Sequence, residues 1–161
     1  MTIINLSDGN SVLNQYLAEI RDKDIQKNHM RFRRNLERMG EIFAYEISKK
    51  LNYKTVEVTT PLGIAQSRVL ADEIVLGTIM RAGLPLHNGL LNYFDNAQNA
   101  FVAAFRKYGK DNKFDIKMEY FTSPAIDGKV LILADTMLAT GASLVLAYQK
   151  LMEKGTPVHT H

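Results

Sequence analysis

The residues best suited to chemistry lie close together in Val130–Ser143, VLILADTMLATGAS. An apolar run delivers one acid, Asp135, and a small-residue stretch follows, Ala139-Thr140-Gly141-Ala142-Ser143. With the apolar run as a strand and the next segment as a helix, Asp135 stands at a strand's carboxyl end. Ligands of open parallel sheets bind in the crevice there. A helix start offers unpaired N–H groups and the positive end of the helix dipole, which together seat a phosphate. Thr140 and Ser143 add hydroxyl donors, and Gly141 permits close backbone approach and a left-handed turn. Asp135 is placed to accept hydrogen bonds from sugar hydroxyls. The segment therefore suits a phosphate and a polyol held one short loop apart. The same spacing also suits a plain helix cap at Thr140 or Ser143, after a strand that merely ends in Asp135. Neither GxxxxGK[ST] nor GxGxxG after a strand is present, which argues against nucleoside triphosphates and dinucleotides.

Arg81 is the second candidate. It directly follows the apolar run IVLGTIM, where a charge without a partner is expensive. A guanidinium pairs bidentately with phosphate oxygens and does not lose its charge. A phosphate ligand or a structural ion pair would each satisfy it. Arg31, Arg33, Arg34 and Arg38 form a basic cluster interleaved with acids, the composition of a solvated helix face more than of a nucleic-acid site. His29 and His87 are expected to be surface or packing residues. His159 and His161 make only a weak metal pair.

Alternating elements must position these residues. Ser11 is a cap for a short helix carrying Val12, Leu13, Tyr16, Leu17 and Ile20. A longer helix follows, with Phe32, Leu36, Met39, Phe43 and Ile47 on one face. Glu37 lies at helical pairing distance from both Arg33 and Arg34. Lys54–Thr59 alternates as a strand, and Glu73–Met80 reads as a strand buried on both faces. Leu84–Phe94 reads as a helix and Ala100–Phe105 as a strand. Lys113–Phe121 alternates, with Phe114, Ile116, Met118 and Tyr120 on one side. Lys129–Ala134 is the clearest central strand, and Ser143–Lys154 is a helix stopped by Gly155 and Pro157. Buried strands alternating with helices predict an α/β fold with a mostly parallel sheet flanked by helices.

Composition sets the outer bounds. A chain of 161 residues corresponds to about one domain, and residues 1–161 are expected to form a single one. The hydrophobic share of 46% is enough to build a core, which excludes a disordered tail. No apolar run approaches the roughly 20 residues of a membrane helix. The absence of cysteine excludes disulfides and thiolate metal sites. MTIINLSDGN lacks the basic start and apolar stretch of a secretory signal, so a cytoplasmic location is expected. A net charge of +3 does not by itself call for nucleic acid.

Val130–Ser143 resembles the phosphoribosyl-pyrophosphate (PRPP) motif of the type I phosphoribosyltransferases, and its DxMLATGxS form resembles that of the uracil phosphoribosyltransferases. Three further segments are similar to that family in the same order: Met30–Glu46 (MRFRRNLERMGEIFAYE), Gly77–Leu86 (GTIMRAGLPL) and Ala103–Gly109 (AAFRKYG). The resemblance implies a phosphoribosyltransferase-type α/β fold with amino-terminal helices. It implies transfer of phosphoribosyl from PRPP to uracil, giving UMP and pyrophosphate in pyrimidine salvage.

By the same resemblance, Asp135 contacts the ribose hydroxyls. Thr136, Met137, Leu138, Ala139, Thr140, Gly141, Ala142 and Ser143 wrap the 5′-phosphate. Arg81 binds the pyrophosphate and, with Asp135, is the catalytic expectation. Arg106 also binds pyrophosphate, from the start of a mobile loop, Lys107–Lys113. Mg²⁺ arrives on the pyrophosphate and no protein-held metal site is expected. The substrates are PRPP and uracil, the assembly is a homodimer or higher homo-oligomer, and neither membrane nor nucleic acid is a partner. Two positions depart from the pattern: Thr136 stands where the uracil branch usually has proline, and Ala142 replaces a commoner glycine. The family's uracil-recognition segment, of the form YIVPGLGDAGD, has no counterpart here, so the chain is expected to be the amino-terminal three-quarters of a longer protein. The alternative is a non-catalytic PRPP-binding regulatory protein of the same fold, possibly RNA-binding.

Overall fold

A computed structural model describes the backbone of residues 3–108 and 114–161, and the side chains of these residues outside 104–118. Ser11 starts helix α1 (Val12–Arg21), its hydroxyl accepting the Leu13 N–H at 3.3 Å. Asn28 caps α2 (His29–Ser48) in the same manner, accepting the Arg31 N–H. The two helices pack through the apolar faces that their spacing predicts. Leu13 and Ile20 of α1 and Leu36 and Met39 of α2 are buried, with Phe32, Phe43 and Ile47 against them. Polar contacts lock the pair. Arg31 grips Glu19 with two bonds of 2.7 and 2.8 Å, and the Asn35 amide donates to the same carboxylate at 2.6 Å. Those bonds hold the Glu19 pKa down at about 2. Arg34 pairs with Glu37, and Arg38 lies over the Tyr16 ring. Arg31 and Arg38 of the basic cluster thus hold α1 to α2, while Arg34 pairs within α2.

Strands β1 (Tyr53–Thr60) and β2 (Gly63–Leu70) form an antiparallel ribbon outside the main sheet. β2 carries too little apolar alternation to be expected from sequence. The main sheet follows: β3 (Ile74–Met80), α3 (Leu84–Leu91), β4 (Gln98–Tyr108), β5 (Phe114–Thr122), β6 (Val130–Ala134), α4 (Ala142–Leu151) and the short β7 (His159–Thr160). Its order is β5-β4-β3-β6-β7. All pairings are parallel except the antiparallel β4–β5 ribbon. The mostly parallel α/β expectation therefore holds, while the central strand is β3, with β6 one place outward. Burial explains why these two look alike in sequence: nearly every residue of both is inaccessible. α3 ends three residues earlier than its apolar pattern suggests.

The sheet is covered on both faces. Ile74, Leu76, Val130 and Ile132 face α1, α2 and α3, while Val75, Leu131, Ile79 and Val102 face α4, where Ala147 and Leu151 are buried. Each fully buried Leu or Val contributes on the order of 1.5–3 kcal/mol. The side-by-side alternation expected in β5 fails at one point. Ala103 pairs with Tyr120 but Ala104 with Met118, so a bulge interrupts the register. Beyond the bulge, Tyr120 is exposed and its neighbour Phe121 packs, partly buried, against the core.

Helices α2 and α3 meet backbone to backbone through two glycines. A methyl group on Gly40 would run into the Leu86 carbonyl oxygen, and one on Gly89 into that of Glu37. Packing at this density cannot absorb the added atom without a backbone shift, which costs about 1–3 kcal/mol. Gly40→Ala and Gly89→Ala are therefore each expected to lower the urea midpoint by that order. Gly9→Ala, with open space around it, is expected to leave it in place. Unchanged midpoints for both interior variants would contradict the close α2–α3 contact.

Candidate functional site

Strand register brings the candidate residues to one edge of the sheet. Thr78 of β3 pairs with Ala134 of β6, and Met80 pairs with Ala103 of β4. Arg81 leaves the end of β3, Asp135 leaves the end of β6, and Arg106 continues β4 beyond the point where β3 stops. Arg106 stands three residues past Ala103, roughly 10 Å further along the strand. Its backbone pairs with Ile116 inside the β4–β5 ribbon, so it sits within a strand and not at the start of a loop. Lys107 and Tyr108 also belong to that strand, and residues 109–113 of the expected mobile loop lie outside the described residues.

The loop from Asp135 to α4 contains two left-handed residues. Met137 adopts a left-handed conformation, φ 66°, which costs a side-chain-bearing residue about 1–2 kcal/mol. Gly141 repeats that turn at φ 73°, where the missing Cβ removes the cost. Gly141 is the helix N-cap and makes no side-chain bond. The Thr140 hydroxyl accepts the Ala142 N–H at 3.3 Å, and the Val145 N–H reaches the Gly141 carbonyl at 2.9 Å. Among the described residues, no hydrogen bond engages the N–H groups of Met137 through Gly141, Ser143 or Leu144. Ser143 is not the cap, so a simple capping role accounts for little of this loop. Ala142 lies in the first helical turn, a conformation that tolerates its methyl group.

Asp135 is half-buried, its carboxylate accepting the Thr136 N–H at 2.8 Å. Burial pushes its pKa up, and the Thr136 bond opposes that shift only in part. Met137 and Leu138 are 65% and 73% exposed, so two large apolar side chains flank the loop in solvent.

Opposite this loop, the segment Met80–Gly83 turns the chain from β3 into α3. The Met80–Arg81 peptide bond is cis. Arg81 is exposed and pairs with no carboxylate among the described residues, so the structural ion pair that its position also suited is not formed there. Gly83 is buried. A Cβ there would lie 2.7 Å from the Ile79 carbonyl, 3.0 Å from Thr78 Cγ2 and 3.3 Å from the Ala134 carbonyl. Gly83 thus fits the loop against the ends of β3 and β6 together, a role that the RAGL segment signalled but that no single-residue reasoning assigned.

A family model described as "Uracil phosphoribosyltransferase" matches residues 8–160. The chain belongs to the uracil phosphoribosyltransferase family. A uracil phosphoribosyltransferase from Porphyromonas gingivalis is 55% identical over 161 residues, covering all of this chain and 74% of that protein. A solved structure from Aquifex aeolicus superposes with a TM-score of 0.83 at 26% identity, over 94% of this chain and 71% of that one. A hypoxanthine phosphoribosyltransferase from Staphylococcus aureus shares the fold at a TM-score of 0.51 and 11% identity, over 78% of this chain and 59% of its own. This uracil phosphoribosyltransferase family member therefore carries a phosphoribosyltransferase-type fold around the Asp135–Ser143 loop.

The raised pKa of Asp135 makes a stability statement. The folded state disfavours its charged form, so ionised Asp135 detracts from stability above the folded pKa and the deficit fades as pH falls through it. Asp135→Asn is expected to match or exceed the parent's urea midpoint at pH 8, with the gap closing as the pH is lowered towards 4. A variant clearly less stable than the parent at pH 8 would contradict the burial argument.

Proposed function

We propose that the Asp135–Ser143 loop holds the 5-phosphoribosyl group of PRPP and that the chain transfers it to uracil, releasing UMP and pyrophosphate. The observation that carries this reading is the set of N–H groups of Met137 through Gly141, Ser143 and Leu144, which no hydrogen bond engages among the described residues, in a loop whose residues Met137 and Gly141 are left-handed. Such a set, at the positive end of a helix, complements a phosphate dianion. Thr136, Met137, Leu138, Ala139, Thr140, Gly141, Ala142 and Ser143 supply backbone and hydroxyl donors to the 5′-phosphate in this reading. Asp135 accepts from the ribose hydroxyls. Uracil as acceptor follows from membership of the family.

Arg81 and Arg106 receive the pyrophosphate. The anomeric carbon loses pyrophosphate with oxocarbenium character and gains a bond to a uracil ring nitrogen, whose proton leaves to solvent or to the departing phosphate. No covalent enzyme intermediate is needed. The chain's own residues hold the sugar by its 5′-phosphate and hydroxyls, align the anomeric carbon, and stabilise the charge that collects on the leaving group. Arg81 suits that last task because it is solvent-exposed at the strand end and its guanidinium keeps its charge. Among the described residues no three His, Cys, Asp or Glu side chains gather to hold a metal ion. That donor set fits a Mg²⁺ bound chiefly by substrate phosphates and water, with Asp135 as the carboxylate at hand. The cation supplies charge neutralisation for the leaving pyrophosphate.

We place the enzyme in the cytoplasm as a homodimer or higher homo-oligomer. The β1–β2 ribbon supports the second point: it is exposed along both strands, with Leu62 and Ile64 bare at its tip, and a two-stranded ribbon alone is marginally stable. A non-catalytic RNA-binding role draws little support, since Arg31, Arg34 and Arg38 are engaged in contacts within α1 and α2.

The test is uracil-dependent pyrophosphate release by the native full-length protein. Release is expected, and Arg81→Ala is expected to lower kcat/KM for PRPP by about 10²–10³-fold. PRPP binding with no uracil-dependent release would favour the regulatory alternative, and unchanged kinetics in Arg81→Ala and Asp135→Asn would overturn the site assignment.

A further inference from the structure

Two polar side chains, Thr78 and His87, are buried beneath the Met80–Gly83 loop and have no part in the chemistry above. Thr78 is 0% exposed and His87 3%, and Thr78 Oγ1 lies 2.7 Å from His87 Nδ1. Thr78 is near the end of β3 and His87 is in the first half of α3. Their hydrogen bond therefore spans the loop that carries Arg81, from below. Three backbone bonds close the same turn: Gly83 N–H to the Ile79 carbonyl at 3.1 Å, Leu84 N–H to that of Arg81 at 3.2 Å, and His87 N–H to that of Gly83 at 2.9 Å. Thr78 also packs its methyl group beneath Gly83.

The ring is fixed from its far side as well. Phe101 of β4 stacks at a tilt, 5.2 Å between centroids, and Phe101 pairs with Thr78 across the sheet. Burial lowers the His87 pKa, opposed by the Asn99 side chain, so the ring enters the core uncharged. An apolar pair of the same volume would fill this space without any polar group to satisfy. What the hydrogen bond adds is direction, because it fixes how far α3 can slide or rotate against β3.

We propose that Thr78 and His87 are positioning residues that hold the Met80–Gly83 loop so that Arg81 is aimed at the pyrophosphate of PRPP. This rests on the role given to Arg81 under the proposed function. The pair does not touch substrate: it acts through the loop, and a displacement of even about 1 Å at a charge-stabilising group weakens its contribution steeply.

The experiment is PRPP binding by titration calorimetry on the native full-length protein, with thermal melting recorded for every variant. Thr78→Val preserves shape and removes the hydroxyl. It is expected to stay folded and to weaken PRPP binding about tenfold, with KM for uracil unchanged. His87→Leu is expected to do the same, and His87→Asn, which keeps a polar atom near the Nδ1 position, to restore most of the affinity. In an Arg81→Ala background, Thr78→Val is expected to cause no further loss, since its effect passes through Arg81. A merely structural pair would instead lower the melting temperature and leave PRPP affinity alone, or its effect would add to that of Arg81→Ala. Either result would overturn the proposal. If Arg81→Ala itself binds PRPP normally, the role of Arg81 fails and the positioning role with it. If Arg81→Ala binds weakly but Thr78→Val binds normally, only the positioning role fails.

Discussion

Because β3 pairs in parallel with both β4 and β6, Thr78 stands opposite Ala134 and Met80 opposite Ala103. Three connections then leave the sheet from one edge: the loop carrying Arg81, the loop beginning at Asp135, and the β4 extension carrying Arg106. A one-residue slip of β6 against β3 would turn Val130, Ile132 and Ala134 away from α2 and α3 and towards α4. The two apolar faces thus enforce the register, and the register gathers the site. Gly83 shows how closely the parts fit, since its backbone is pressed against carbonyl groups of both β3 and β6. The loops that carry Arg81 and Asp135 are thus mounted on a sheet whose register is set by its own packing.

That separation explains where stability and function part company. The helices α1, α2 and α3 bury one face of the sheet through Leu13, Leu36, Met39, Leu86 and Leu90, and Gly40 and Gly89 let α2 and α3 approach closely. At the carboxyl ends of the strands, the chain accepts a left-handed Met137, exposed Met137 and Leu138 side chains, and a half-buried carboxylate at Asp135 whose charged form is disfavoured. Each of these is a local cost, and such costs gather where a ligand is to supply the missing partners.

The sequence made the site loop legible because its signals are local. An apolar run, one acid and a turn of small residues define Val130–Ser143 without reference to the rest of the chain. β3, α1, α2 and α4 were legible for the same reason, each having a strong period or cap. What could not be read depends on neighbours distant in sequence. The ribbon strand β2 has no buried face to impose a period. The bulge between the Met118 and Tyr120 pairings arises against β4. β3 and not β6 is central because of strand order, which apolar content does not encode. Arg106 looked like the first residue of a loop, yet the β4–β5 ribbon carries its backbone onward as strand. Thr78 and His87 become a pair only when α3 folds back over β3. A single threonine inside IVLGTIM was the one hint that the strand carried something polar.

In the proposed reading, unengaged backbone N–H groups between Asp135 and α4 bind the sugar phosphate. The most direct measurement is an amide NMR titration of the native full-length protein with ribose 5-phosphate. The account predicts that the largest shifts fall on the amides of Met137–Leu144, with Asp135 beside them. Largest shifts on the basic face of α2, around Arg33 and Arg34, with the Met137–Leu144 amides unmoved, would contradict it.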